Sequence, residues 1–99
     1  MKHNQDYLNL LRKIKNKPES SQRELAGELG FSLGKLNYIL KSLKAKGLVK
    51  IRNFKKNQNK LNYIYLLTPK GITIKSKLTI NFMRRKMQEY DELKKELRK

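Results

Sequence analysis

The sequence predicts a mainly α fold with one small β-hairpin and a long C-terminal helix. Three observations carry that prediction. Up to residue 47, apolar residues recur at spacings of three and four, punctuated by proline and glycine. Two short runs, 48–51 and 61–67, are rich in β-branched and aromatic residues and flank a polar, basic segment. From Thr68-Pro69 onward no residue after Gly71 breaks a helical pattern until about residue 98.

Over 5–16, Tyr7, Leu8, Leu11 and Ile14 form one helical face, and Lys17-Pro18 ends it, because the residue before proline is pushed out of the helical region. Ser21-Gln22-Arg23-Glu24 has the form of a capping box, in which Ser21 caps the amide of Glu24 and Glu24 reaches back to Ser21. A short helix follows with Leu25 and Leu29 inward, closed at Gly30. Ser32 is a second N-cap, and Leu36, Ile39, Leu40 and Leu43 make the stripe of a helix over 32–46 that Gly47 closes. Two short helices joined by a glycine-containing turn make a helix-turn-helix. The strands 48–51 and 61–67 follow, with 52–60 as an extended basic arm between them, and a helix-turn-helix followed by a basic hairpin is a winged helix. The predicted organisation is a winged helix over 1–68 and a long C-terminal helix over 69–99. In that helix Ile72, Ile74, Leu78 and Phe82 are expected to rest on the head. Met83, Met87, Tyr90, Leu93 and Leu97 recur at 4, 3, 3 and 4 and form a second apolar seam, the expected homodimer interface.

Charge says what the fold meets. The 99 residues carry 25 Lys and Arg against 8 Asp and Glu, a formal net charge of +17. Between Glu28 and Glu89 there is no acid at all, while fifteen basic residues crowd that stretch. A long one-sign segment repels itself in the folded state, and a polyanion relieves it. Cysteine is absent, which excludes disulfides, thiolate metal sites and cysteine nucleophiles. No apolar run reaches a membrane span, and the N-terminal segment has no signal-peptide core, so a cytoplasmic location is expected. There is no phosphate-binding loop, no metal-ligand set and no catalytic constellation; neither enzymatic activity nor a cofactor is expected.

In cadence, "SQRELAGELGFSLGKLNYILKSLKAKGLVKIRN" resembles a MarR-type winged helix, and "LTPKG" at 67–71 resembles the Leu-Thr-x-Lys-Gly that ends that family's wing and opens its dimerisation helix. The likeness spans about residues 20–97. It is greatest to the short MarR-like regulators associated with exopolysaccharide gene clusters, through "SLGKLNY", "NFKKNQNKLNYIYLLTPKGI" and "RRKMQEYDEL". It implies a homodimeric transcriptional regulator of double-stranded DNA, with exopolysaccharide genes as the implied target. The family's usual Asp-x-Arg wing tip is replaced by Asn57-Gln58-Asn59-Lys60, and the chain is shorter than ordinary family members. A phenolic effector is therefore not expected.

On this reading helix 32–46 enters a major groove, with Ser32, Gly34, Lys35, Asn37, Tyr38 and Lys41 off the core stripe. Lys35 can donate to guanine O6 or N7, Asn37 can pair with adenine, and Tyr38 can meet a phosphate or a thymine methyl. Gly34 suits a close backbone approach; otherwise it is a helix defect of about 1 kcal/mol. The wing offers Arg52, Asn53, Lys55, Lys56, Asn57, Asn59 and Lys60 to phosphates and minor-groove acceptors. Arg84-Arg85-Lys86 is a second basic patch, with phosphate contact weighed evenly against a solvated flank. Two rivals stand beside this reading: a basic RNA- or ribosome-associated winged-helix module, and a scaffold whose C-terminal helix docks an acidic protein.

Overall fold

A computed structural model describes residues 4–57 and 60–98, with the backbone alone for 54–57 and 60–62. The element order is α1 (Asn4–Asn16), α2 (Gln22–Leu29), α3 (Leu33–Ala45), β1 (Val49–Asn57), β2 (Lys60–Leu67) and α4 (Pro69–Leu97). The helices and the long C-terminal element stand where periodicity and caps place them. The hairpin differs in extent. β1 pairs antiparallel with β2 from Val49↔Leu67 out to Asn57↔Lys60, with an irregularity between Lys55 and Asn57. Residues 52–57, read from the sequence as an extended arm between shorter strands, are thus part of the paired strand itself: partner hydrogen bonds compensate for a polar sequence of low apolar periodicity.

Local chemistry fixes the ends. Ser21 accepts from the Glu24 amide at 3.1 Å, and its hydroxyl donates to the Glu24 carboxylate at 3.3 Å. Ser32 accepts from the Lys35 amide at 3.1 Å. Gly30 and Gly47 adopt φ of 70° and 73°, the left-handed region that costs a residue with a Cβ. Beyond each glycine the chain bonds back into the helix: Phe31 N donates to Ala26 O, and Leu48 N to Leu43 O, both at 2.9 Å.

The core joins α1, α2, α3 and the base of the hairpin. Leu10, Leu11, Ile14, Leu25, Leu36, Ile39 and Leu43 are fully buried, with Tyr7, Leu48, Val49 and Tyr65 around them. Leu10, off the stripe read from the sequence, is inside because α1 is covered on a broader arc. The turn after α1 is tied to the sheet by Tyr65 N donating to Pro18 O at 3.1 Å. Between α1 and α2, Glu28 meets Lys17 at 3.3 Å and Lys13 at 3.5 Å. The Lys17 hydrogen bond and charge, then Lys13, hold the Glu28 carboxyl below its ordinary value. That support is complete at neutral pH and fades as acid protonates the group.

A knot of backbone contacts sets α4 on the head. Thr68 Oγ1 accepts from Gly71 N at 2.9 Å and donates to Gly47 O at 2.6 Å, while Thr68 N donates to Leu48 O at 3.1 Å. Gly71 is buried, and a Cβ there would collide with the Leu48 carbonyl. The turn after α3, the exit of the wing and the first turn of α4 thus share one joint. Further along, Ile74 and Leu78 rest against the core and Phe82 is half-buried. Ile72, expected with them, is 48 % exposed, because the helix turns it away from the face that carries Ile74 and Leu78. Twenty-nine residues at about 1.5 Å each give α4 a length of about 43 Å, and the whole molecule measures 66 × 26 × 21 Å. The far half of α4 therefore projects from the head.

Candidate nucleic-acid interface

In α3 the buried stripe Leu36, Ile39, Leu40 and Leu43 dictates what faces out. Gly34, Asn37, Tyr38 and Lys41 fall at i, i+3, i+4 and i+7 on a single side, and all four are exposed. Tyr38 is 62 % exposed. The space where a Gly34 Cβ would stand is open, so nothing inside the protein requires that glycine. Ser32 is exposed, and its hydroxyl is engaged as the helix cap.

Lys35 stands elsewhere. It lies on the flank of α3 that meets α1, with Nζ 3.2 Å from Asp6 Oδ2 and 4.3 Å from the centroid of the Phe31 ring. The same flank carries Ser42 and Lys46 at i+7 and i+11, and both reach α1. Tyr7 Oη and Ser42 Oγ are 2.7 Å apart, and Lys46 Nζ donates to Tyr7 Oη at 3.2 Å while lying over its ring. The Ser42 hydrogen bond, against burial and aided by Lys46, lowers the Tyr7 phenol from its ordinary value. α1 thus braces α3 along one side. Asp6, Ser42 and Lys46 were not singled out from the sequence; the spacing of Lys35, Ser42 and Lys46 along one helical line was the available signal.

On the wing, Arg52 and Asn53 are exposed and sit opposite Ile64 and Tyr63. Tyr63, 52 % exposed, is an aromatic that sequence reading assigned only to a strand. Lys55, Lys56 and Asn57 belong to β1 and Lys60 opens β2, with their side chains outside the described residues. Asn59 lies outside the described residues altogether.

On α4, Met83, Met87, Tyr90, Leu93 and Leu97 are exposed, from 55 % at Met83 to 87 % at Leu97. Ile72 and Ile80, about half exposed, lie on the same side and carry the stripe back to the head. Among the described residues no helix is long and apolar enough to cross a membrane. Nor does any group of three His, Cys, Asp or Glu gather among them where it could hold a metal ion.

Residues 8–50 match the winged helix-turn-helix DNA-binding family. No curated protein matches the chain. Solved structures share the fold. MarR of Staphylococcus aureus, in complex with salicylate and kanamycin, superposes with a TM-score of 0.66 at 16 % identity, over 88 % of this chain and 57 % of its own. PcaV of Streptomyces coelicolor gives 0.69 at 14 % identity, over 91 % of this chain and 71 % of its own. FabT of Streptococcus pneumoniae, in complex with DNA, gives 0.65 at 20 % identity, over 88 % of this chain and 59 % of its own. The chain therefore spans little more than half the length of the first and third of these proteins.

Proposed function

Starting from a winged helix-turn-helix domain whose fold recurs in MarR-family regulators, we propose that this chain is a homodimeric transcriptional regulator of double-stranded DNA. The outward face of α3 carries the reading. Gly34, Asn37, Tyr38 and Lys41 present two amide or ammonium donors, an aromatic and a bare backbone on one exposed side, inside a sequence stretch without acid. A helix presenting such a face fits the major groove, where Asn37 can pair with adenine N6 and N7 and Lys41 with guanine or phosphate. Arg52 and Asn53 direct the wing to the flanking backbone or minor groove. Residues 1–68 form the DNA-binding unit in this proposal and 69–99 the dimerisation helix. Two-fold symmetry then places the half-sites about 34–36 Å apart or a multiple of that. The likeness to exopolysaccharide-associated regulators extends the proposal to genes of that class, which genomic footprinting tests.

Salt titration tests the binding mode. With roughly six to ten phosphate contacts, duplex affinity falls about 10³–10⁵-fold between about 50 and 200 mM salt. A complex indifferent to salt refutes it. One observation favours a second reading: Tyr38 and Tyr63 are exposed aromatics on or beside the basic elements, as single-strand binders use. Structured or single-stranded RNA competing better than duplex DNA at matched salt would select that RNA-binding reading.

Gly34 separates function from helix defect. Because its Cβ space is open, Gly34→Ala is expected to stabilise the free protein by up to about 1 kcal/mol. If DNA backbone approaches there, the same methyl weakens duplex binding. Thermal melting and fluorescence anisotropy on one variant read both signs, and unchanged binding removes Gly34 from the interface.

A further inference from the structure

We propose that Asp6 is a positioning residue for the reading helix, holding the Lys35 ammonium on the α1 flank so that duplex DNA must draw it away before using its charge. The inference rests on the DNA-binding reading above. Asp6 Oδ2 lies 3.2 Å from Lys35 Nζ, and the Phe31 ring lies 4.3 Å from the same nitrogen. Carboxylate and ring face converge on one ammonium and turn it from the side that exposes Gly34, Asn37, Tyr38 and Lys41. Lys35 belongs to the first turn of α3, the part of a recognition helix that meets base edges, and its four-carbon stem can swing to either side.

The pair is built to yield. Its side chains are 44 % and 27 % exposed, so water screens the attraction and the pair is weak. A duplex, with one phosphate charge for about every 1.7 Å of axis, competes well against a single partly buried carboxylate. Asp6 therefore lowers the affinity of every complex that recruits Lys35. It leaves alone those in which Lys35 stays on α1.

The test is a double-mutant cycle on the full-length protein, read by anisotropy with labelled duplex across a salt series. Asp6→Asn is expected to tighten binding by about two- to fivefold with the salt slope nearly unchanged, because Lys35 meets phosphate in both complexes and only the competing carboxylate is lost. In a Lys35→Met background the same change should tighten binding by less than about twofold, because the charge it frees is gone. Asp6→Glu, which keeps the carboxylate, should behave as wild type, and circular dichroism confirms the fold of each variant. Equal gains in both backgrounds would mean general electrostatics and overturn the proposal, as would no gain from Asp6→Asn. If Asp6→Asn does not fold, Lys35→Met decides: a salt slope reduced by about one supports a lysine that DNA recruits from Asp6, and an unchanged slope refutes it. Wild-type protein that fails to bind duplex at low salt removes the DNA-binding reading itself, whereas wild-type binding without the coupling removes only the role of Asp6.

Discussion

Met83→Asp combined with Met87→Asp is expected to give a folded monomer that binds its operator about 10²–10⁴-fold more weakly than the dimer. Both methionines lie at the centre of a stripe that runs through Ile72, Ile80 and Tyr90 to Leu97, and both are more than half exposed in the single chain. An isolated helical extension of this length is marginal in water, so the far half of α4 needs a partner. A second copy supplies the same stripe by symmetry. Four carboxylates, two from each subunit, would then be forced into an apolar seam without partners, at a cost of several kcal/mol. The head, which neither methionine touches as a buried residue, should melt nearly unchanged. The loss of affinity follows from losing bivalency, which multiplies the affinity of one half-site without new contacts. Light scattering reads the mass against the 11.8 kDa of one chain, and anisotropy reads the binding. A variant that stays dimeric places the interface elsewhere. Wild-type protein that is already monomeric gives the helix to another partner, the scaffold alternative.

Gly71→Ala is expected to destabilise the head by about 2–4 kcal/mol, a fall in melting temperature of roughly 10–25 °C for a chain of this size. Helix propensity alone would favour alanine there by about 1 kcal/mol, as at Gly34. The joint reverses the sign. The added methyl meets the Leu48 carbonyl, which already accepts from Thr68 N, so the backbone of α4 or of the Gly47–Leu48 turn must move. Differential scanning calorimetry on Gly34→Ala and Gly71→Ala together is the cleanest comparison: one substitution type in two helices, with opposite expected signs. A stabilised Gly71→Ala would mean that α4 does not sit on the head as described. If α4 is the dimerisation helix proposed above, the same joint aims it relative to α3, and a folded Gly71→Ala should also lose discrimination between half-site spacings.

Much of the fold is legible because its signals are local. Ser21, Ser32 and Thr68 each accept from the amide three residues on, as their spacing predicts. Gly30 and Gly47 stand where the helices end. The stripe Leu36, Ile39, Leu40 and Leu43 is buried as a unit, and its complement names the outward residues of α3. The hairpin was legible in kind but not in extent, since residues 52–57 gain their strand state from pairing with β2 and not from their own pattern.

What the sequence by itself determined is which stretches are helix, where they stop, which face of each is apolar, and that the chain is strongly basic with no acid between Glu28 and Glu89. These depend on dihedral preference, on hydrogen bonds a few residues long and on net charge, all of which act along the chain. Only the tertiary structure decided that Lys35 leans on Asp6 and that Gly71 is demanded by the carbonyl of Leu48. Each of these depends on the angle at which one element meets another. That angle is set by packing between residues far apart in sequence, which no local pattern encodes.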